Sequence, residues 1–175
     1  MMTSRPPFNR RILIIDDNLS IHDDFRRILA PIDDGDDLDA EAAMLLGGPD
    51  GSSTLGAGAS FELSFASQGQ EAKALVIANH HPDKRFAMVF VDMRMPPGWD
   101  GLTTILKLWE TDPDLHVVIC TAHSDRTWDE IATSLTARDR WAVLKKPFDK
   151  VEVLQLAHVM IGKWNLGQAV AAAGS

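Results

Sequence analysis

At 175 residues, with 45% hydrophobic and 24% charged residues, the chain has the size and composition of one ordinary globular domain, which excludes disorder along its whole length. Its formal net charge of −8 argues against a nucleic-acid-binding surface, because phosphate backbones are held by clustered Lys and Arg. The single cysteine, Cys120, excludes an intrachain disulfide and suits a reducing compartment. Met1 to Asn9 lacks the apolar core of a signal peptide, and no apolar run is long enough to cross a bilayer, so a soluble cytoplasmic protein without membrane contact is expected.

The first structured element is the apolar run Ile12-Leu13-Ile14-Ile15, which stops at Asp16-Asp17. Ile21, Phe25, Ile28 and Leu29 then give a helical stripe. From Pro31 to Ser60 the rhythm breaks. This stretch opens acidic, holds a short helical pattern from Leu38 to Leu46, and continues into a Gly- and Ser-rich loop from Gly47 to Gly58. We read it as a solvated insertion, with a partner-docking element as the alternative. Phe61-Glu62-Leu63-Ser64-Phe65 alternates, as a strand with one more exposed face does.

Ala72, Leu75, Val76 and Ala78 suggest a second helix. Phe86 to Val91 is a strong apolar run ending in Asp92, and Leu102, Ile105, Leu106 and Trp109 give a third helical stripe that stops near Pro113. Val117-Val118-Ile119-Cys120 ends in Thr121, and Trp128, Ile131 and Leu135 follow as a fourth helix. Trp141-Ala142-Val143-Leu144 ends in Lys145-Lys146-Pro147. The last helix carries Val151, Leu154 and Ile161 on one side and Val153, Leu156, Met160 and Trp164 on another, either as one wide core stripe or with the second set docking a partner or twin subunit. Residues 167–175 are small and weakly patterned, and are read as a flexible tail.

Near-continuous apolar runs of this length suit parallel strands covered on both faces. Alternation with helices implies an α/β doubly wound sheet with right-handed crossovers. In such a sheet the strand ends share one edge, where ligands bind. Asp16, Asp17, Asp92, Thr121 and Lys146 therefore converge on one cleft. Three carboxylates in proximity require a cation, and an oxygen-only set suits Mg²⁺. A carboxylate can act as the nucleophile toward phosphorus, and Thr121 and Lys146 can bind phosphoryl oxygens.

Ile15-Asp16-Asp17-Asn18, Val91-Asp92-Met93-Arg94-Met95-Pro96, Asp100-Gly101, Thr121-Ala122 and Lys146-Pro147-Phe148, in this order at strand ends, resemble the receiver domain of bacterial response regulators. The resemblance implies a flavodoxin-like five-stranded sheet in the order 2-1-3-4-5. It implies Asp92 as phospho-acceptor, Asp17 as direct Mg²⁺ ligand, Asp16 as ligand through water, and the backbone carbonyl of Arg94 as a further ligand. Thr121 becomes the switch hydroxyl, Lys146 the phosphate partner, and Lys146–Pro147 a cis bond. The implied domain is 1–166, with the insertion at 31–60 and the tail at 167–175. The implied partners are a sensor histidine kinase or phosphotransfer protein, a downstream protein effector, and a second copy in a homodimer. The chain is then a signalling switch and not an enzyme acting on another substrate.

Three departures from the family pattern stand out. The loop Met95 to Gly101 is one residue longer, Val143 stands where a switch aromatic is usual, and the insertion is present. Of the rival functions, a phosphatase or mutase would carry an acid at Arg94, and a flavin-type binder would carry a Ser/Thr/Gly-rich loop at Asp16-Asp17-Asn18. A phosphorylation-independent interaction module stays open because of the lengthened loop and Val143, and an N-terminal receiver of a longer kinase or diguanylate cyclase stays open because of the insertion and the Lys145-Lys146-Pro147-Phe148-Asp149 ending. The histidines His22, His80, His81, His116 and His158 read as scattered surface residues, whereas His123, with Asn18 and Arg94, is expected to edge the site and tune phosphate lifetime.

Overall fold

The structure, a computed structural model, describes residues 7–30, 61–122, 127–137 and 139–174. Five strand–helix units follow in order: β1 (Arg11–Ile15), α1 (Leu19–Leu29), β2 (Glu62–Ala66), α2 (Gly69–Ala78), β3 (Met88–Asp92), α3 (Gly101–Thr111), β4 (His116–Thr121), α4 (Trp128–Ser134), β5 (Trp141–Lys145) and α5 (Lys150–Ala173). All strand pairs are parallel and the sheet order is β2-β1-β3-β4-β5, the order the resemblance implies.

The period of two along each strand divides the core between two faces. Leu13, Ile15, Val89, Val91, Val117 and Ile119 pack with Ala72, Val76, Ile105, Leu108 and Ile131 from α2, α3 and α4. Ile12, Ile14, Met88, Phe90, Val118 and Cys120 pack with Phe25 and Leu29 of α1 and Val153, Ala157 and Trp164 of α5. Cys120 is thus the small buried residue expected, and burial raises its pKa well above the ordinary thiol range.

Four of the five described helix starts are set by side chains; the start of α2 has no side-chain cap. Asn18 caps α1 by accepting from Ser20 N, Asp100 caps α3 by accepting from Thr103 N, and capping boxes open α4 (Thr127, Glu130) and α5 (Asp149, Glu152).

Several helical stripes differ in detail from the sequence expectation. In α3 the buried residue is Leu108, in step with Leu102 and Ile105, whereas Leu106 is exposed. Trp128, at the start of α4, is exposed and leans on the buried Trp141 with ring centroids 4.8 Å apart. On α5 the core side is Val153, Ala157, Met160, Ile161 and Trp164, so Ile161 joins the second set and Val151 faces solvent. The expected boundary at 166 falls inside α5, which runs to Ala173 and sends Gln168 back to Asp114.

The insertion 31–60 and its short helical pattern lie outside the described residues, as does His123. Their flanks are close: Phe61 N donates to Leu29 O, at the end of the sheet opposite the strand C-termini.

Candidate functional site

The C-terminal strand edge brings the expected residues together. Asp16 follows β1, Asp92 ends β3, Thr121 ends β4 and Lys146 follows β5. The register aligns these ends, with Ile15 opposite Val91, Asp92 opposite Cys120, and Thr121 opposite Lys145. Asp16, Asp92 and Thr121 are buried, Lys146 is half-buried, and Asp17 and Arg94 are exposed at the rim. Carboxylate oxygens of Asp16, Asp17 and Asp92 all lie within 4.8 Å of one another.

Lys146 faces two members of this acidic group. Lys146 Nζ lies 3.1 Å from Asp16 Oδ2 and 3.2 Å from Asp92 Oδ1. Burial alone would depress the Lys146 pKa, but Asp16 and Asp92 outweigh it and raise the value. Asp92 is also raised, first by burial and then by the neighbouring charge of Asp16, against the opposing pull of Lys146 and of the Arg94 backbone N–H. Three carboxylates thus share the site with the Lys146 ammonium. Lys145 points to solvent and is a bystander.

The backbone holds this geometry from below. Lys146 N donates to Thr121 O (2.7 Å), Met93 N to Cys120 O (3.1 Å), and Gly101 N to Met93 O (2.9 Å). Gly101 sits so close to β3 that a Cβ there would meet Asp92 O at 2.7 Å and Met93 Cα at 2.9 Å. This explains the Asp-Gly pair at the start of α3: Asp100 supplies the cap and Gly101 the clearance. Phe148 anchors the Lys146 loop by packing on Phe25, which in turn meets Phe90 of β3. Lys146–Pro147 is cis, as the resemblance implies, and Pro96–Pro97 in the lengthened loop is cis as well.

His22 belongs to the site although its residue type alone did not reveal it. It is buried, not scattered on the surface, and its Nε2 lies 2.8 Å from the backbone oxygen of Asp16. The available signal was its helical spacing with Phe25 and Leu29, which places it on the buried stripe. His116 is also buried, with Nδ1 2.8 Å from Asp114 O, but at the opposite sheet edge. Val143 is half-buried against the core on the same face as Trp141.

A family model described as the response regulator receiver domain matches residues 53–158, more than half of the chain. The chain belongs to this family. The match begins after β1, so Asp16 and Asp17 lie outside it and join the receiver site through the sheet pairing of β1 with β3. The DNA-binding transcriptional regulator NtrC of Salmonella typhimurium is 33% identical over 108 residues, which are 62% of this chain and 21% of NtrC. The chain therefore spans about a fifth of the length of that relative.

Solved structures agree on the fold. A response regulator receiver protein from Sinorhizobium medicae superposes with a TM-score of 0.61 at 18% identity, covering 89% of this chain and 97% of that one. A CheY-like receiver domain from Methanospirillum hungatei gives 0.60 at 17% identity, covering 91% and 98%. A protein described as an adenylate cyclase from Rhodopirellula baltica gives 0.65 at 22% identity, covering 93% and 95%. As a receiver domain the chain is a module of two-component signalling. Among the described residues no helix is long and apolar enough to cross a membrane.

Proposed function

We propose that this receiver accepts a phosphoryl group on Asp92 from a sensor histidine kinase or phosphotransfer protein, and that the modified form changes its affinity for a downstream protein. The observation that carries the proposal is the acidic triplet Asp16, Asp17 and Asp92 with Lys146 bonded to two of its members.

The donor set fits Mg²⁺: all oxygen, and clustered within 4.8 Å. Asp17, Asp92 and the backbone carbonyl of Arg94 would hold the ion directly, and Asp16 through water. Bound there, it would neutralise charge on the carboxylates and on the phosphoryl oxygens.

In the transfer, a carboxylate oxygen of Asp92 forms the new bond to phosphorus. The bond from phosphorus to the donor histidine nitrogen breaks, and that nitrogen leaves with the electron pair. Lys146, bonded to the Asp92 carboxylate, screens the incoming negative charge. Thr121, at the end of the neighbouring strand, offers a hydroxyl donor to a phosphoryl oxygen. The chain's own chemistry is confined to its phosphorylation and dephosphorylation.

The receiver unit is proposed to extend past residue 166 through the end of α5, with 31–60 as an insertion into it, and to work in the cytoplasm. NtrC is several times longer than its match here, which supports a receiver that acts with further segments; a longer kinase or diguanylate cyclase is one form such a protein could take. A second reading, a receiver-like interaction module without phosphorylation, is favoured by the lengthened loop Met95 to Gly101 and by Val143 in place of the usual aromatic. The face of α4, β5 and α5 is the proposed docking surface for an effector or a second copy.

Incubation with Mg²⁺ and acetyl phosphate, followed by intact mass, tests the proposal. One added phosphoryl group on the wild type, absent in Asp92→Ala, is expected. No adduct on either protein moves the assignment to the interaction module.

A further inference from the structure

Asp16 is held at each of its four polar groups. Its N–H donates to Ala66 O on β2 (3.1 Å), its Oδ1 accepts from Asn18 N (2.9 Å), and its Oδ2 accepts from Lys146 (3.1 Å). The fourth group is its backbone oxygen, 2.8 Å from His22 Nε2. A carbonyl can only accept, so this nitrogen carries the proton. His22 is 5% exposed, and its ring lies against Phe65 of β2 with centroids 5.0 Å apart. The Arg26 guanidinium covers the same phenyl ring at 4.2 Å. The imidazole is thus packed into one orientation.

This bond has a consequence for the next residue. The peptide unit is planar, so fixing the Asp16 carbonyl also fixes the direction of the Asp17 N–H and the placement of its Cα. Asp17 is exposed and lies at the rim, where its carboxylate belongs to the acidic triplet. Exposure leaves that side chain little packing of its own. Its aim depends on the peptide plane from which it springs.

We propose that His22 is a positioning residue for the cation site: its Nε2–H pins the Asp16–Asp17 peptide plane and thereby sets the Asp17 carboxylate to receive a divalent ion. The inference rests on the Mg²⁺-dependent reading above and assigns a role to a residue outside the ligand set. Partners that orient ligands in this way are commonly worth about 10–100-fold in metal affinity.

The test uses Mn²⁺ as the probe, with binding counted from the loss of the free-ion EPR signal on the full chain, and melting in EDTA recorded beside it. Wild type is expected to bind Mn²⁺, and Asp17→Asn to lose it. His22→Phe keeps an aromatic ring beside Phe65 but has no donor, and Mn²⁺ binding is expected to weaken about 10-fold or more. His22→Gln keeps an N–H donor at similar reach and is expected to restore most of the affinity, which a role in packing alone would not do.

Wild-type affinity in a folded His22→Phe overturns the inference and leaves the Mg²⁺ reading intact. Absence of Mn²⁺ binding in the wild type overturns both. Should His22→Phe not fold, His22→Gln decides alone, since it retains the donor and loses the ring: near wild-type affinity supports the hydrogen bond, and weak affinity overturns it.

Discussion

Lys146 Nζ lies 3.2 Å from Asp92 Oδ1, although the strands that carry the two residues, β5 and β3, are separated by β4. The ammonium therefore spans the end of β4, where Thr121 sits. Replacing it by an isosteric apolar chain, Lys146→Met, removes a charge-assisted hydrogen bond of about 1.5–3 kcal/mol. Phosphorylation of Asp92 by acetyl phosphate is expected to slow about 10–100-fold, since each 1.36 kcal/mol is a factor of ten. Divalent-ion binding is expected not to weaken, because a positive charge has been taken from beside the carboxylates. A stopped assay by intact mass and a parallel Mn²⁺ titration separate the two effects.

Asp92 has its pKa raised first by burial and then by Asp16. An acid raised in the folded state binds its proton more readily folded than unfolded. Its contribution to stability therefore falls as pH climbs from the ordinary carboxyl value through the raised one, and at neutral pH the ionised group is a net cost. In EDTA at pH 7, Asp92→Asn is expected to melt higher than the wild type, by about 2–4 °C for each kcal/mol relieved in a domain of this size. The gap should close as pH falls through the acidic window, and it should narrow when Mg²⁺ is added at pH 7. Differential scanning calorimetry at pH 7 and pH 4, with and without Mg²⁺, reads both changes.

Gly101 and Gly162 are both helical, yet opposite results are expected on replacing them with Ala. A Cβ on Gly101 would meet Asp92 O at 2.7 Å and Met93 Cα at 2.9 Å, and backbone cannot step aside as a flexible side chain can. Gly101→Ala is expected to cost about 1–3 kcal/mol and to slow Asp92 phosphorylation by moving the acceptor strand. Gly162, on the exposed side of α5, has nothing within 4 Å of the added carbon. Gly162→Ala should stabilise by about 0.5–1 kcal/mol with phosphorylation unchanged. Urea denaturation of the two variants tests both signs.

Most of the architecture was legible because β-branched runs and the polar residues that stop them are local features. Ile12–Ile15 before Asp16 and Phe86–Val91 before Asp92 announce both the strands and the edge to which they deliver chemistry. Helix faces were legible only to within one residue. Leu106 and Leu108 differ by two positions on an apolar segment, and packing against the sheet, not hydropathy, selects Leu108. The extent of α5 past residue 166 was hidden because Ala-rich sequence carries helix propensity without an apolar stripe. For His22 the spacing with Phe25 and Leu29 carries burial but not its partner, because its bond goes to a backbone oxygen that no side-chain pattern reveals.

A buried, two-pronged ion pair lies at the other edge of the sheet, away from the acidic cluster. Arg85 grips Asp112 with two bonds, Nη2 to Oδ1 at 2.6 Å and Nε to Oδ2 at 3.2 Å, and reaches Asp114 at 3.3 Å. The Asp112 side chain is 1% exposed and that of Arg85 18%. Burial alone would lower the Arg85 pKa, but its bonds to Asp112 and Asp114 raise it, so the guanidinium stays charged at every ordinary pH. Arg85 also lies 5.3 Å from the Trp164 ring, tying the pair to α5. Breaking such a pair from one side strands a buried charge, and Arg85→Leu is expected to cost about 3–5 kcal/mol at pH 7. The double variant Arg85→Leu with Asp112→Leu removes both charges and should recover much of that loss, because the penalty lies in the orphaned carboxylate and not in the absent attraction. Phosphorylation of Asp92 should persist in any folded variant of the cycle, since Arg85 lies at the far end of β3. Recovery in the double variant and an unchanged adduct would together place this pair in stability alone, and a double variant no more stable than Arg85→Leu would sink the account.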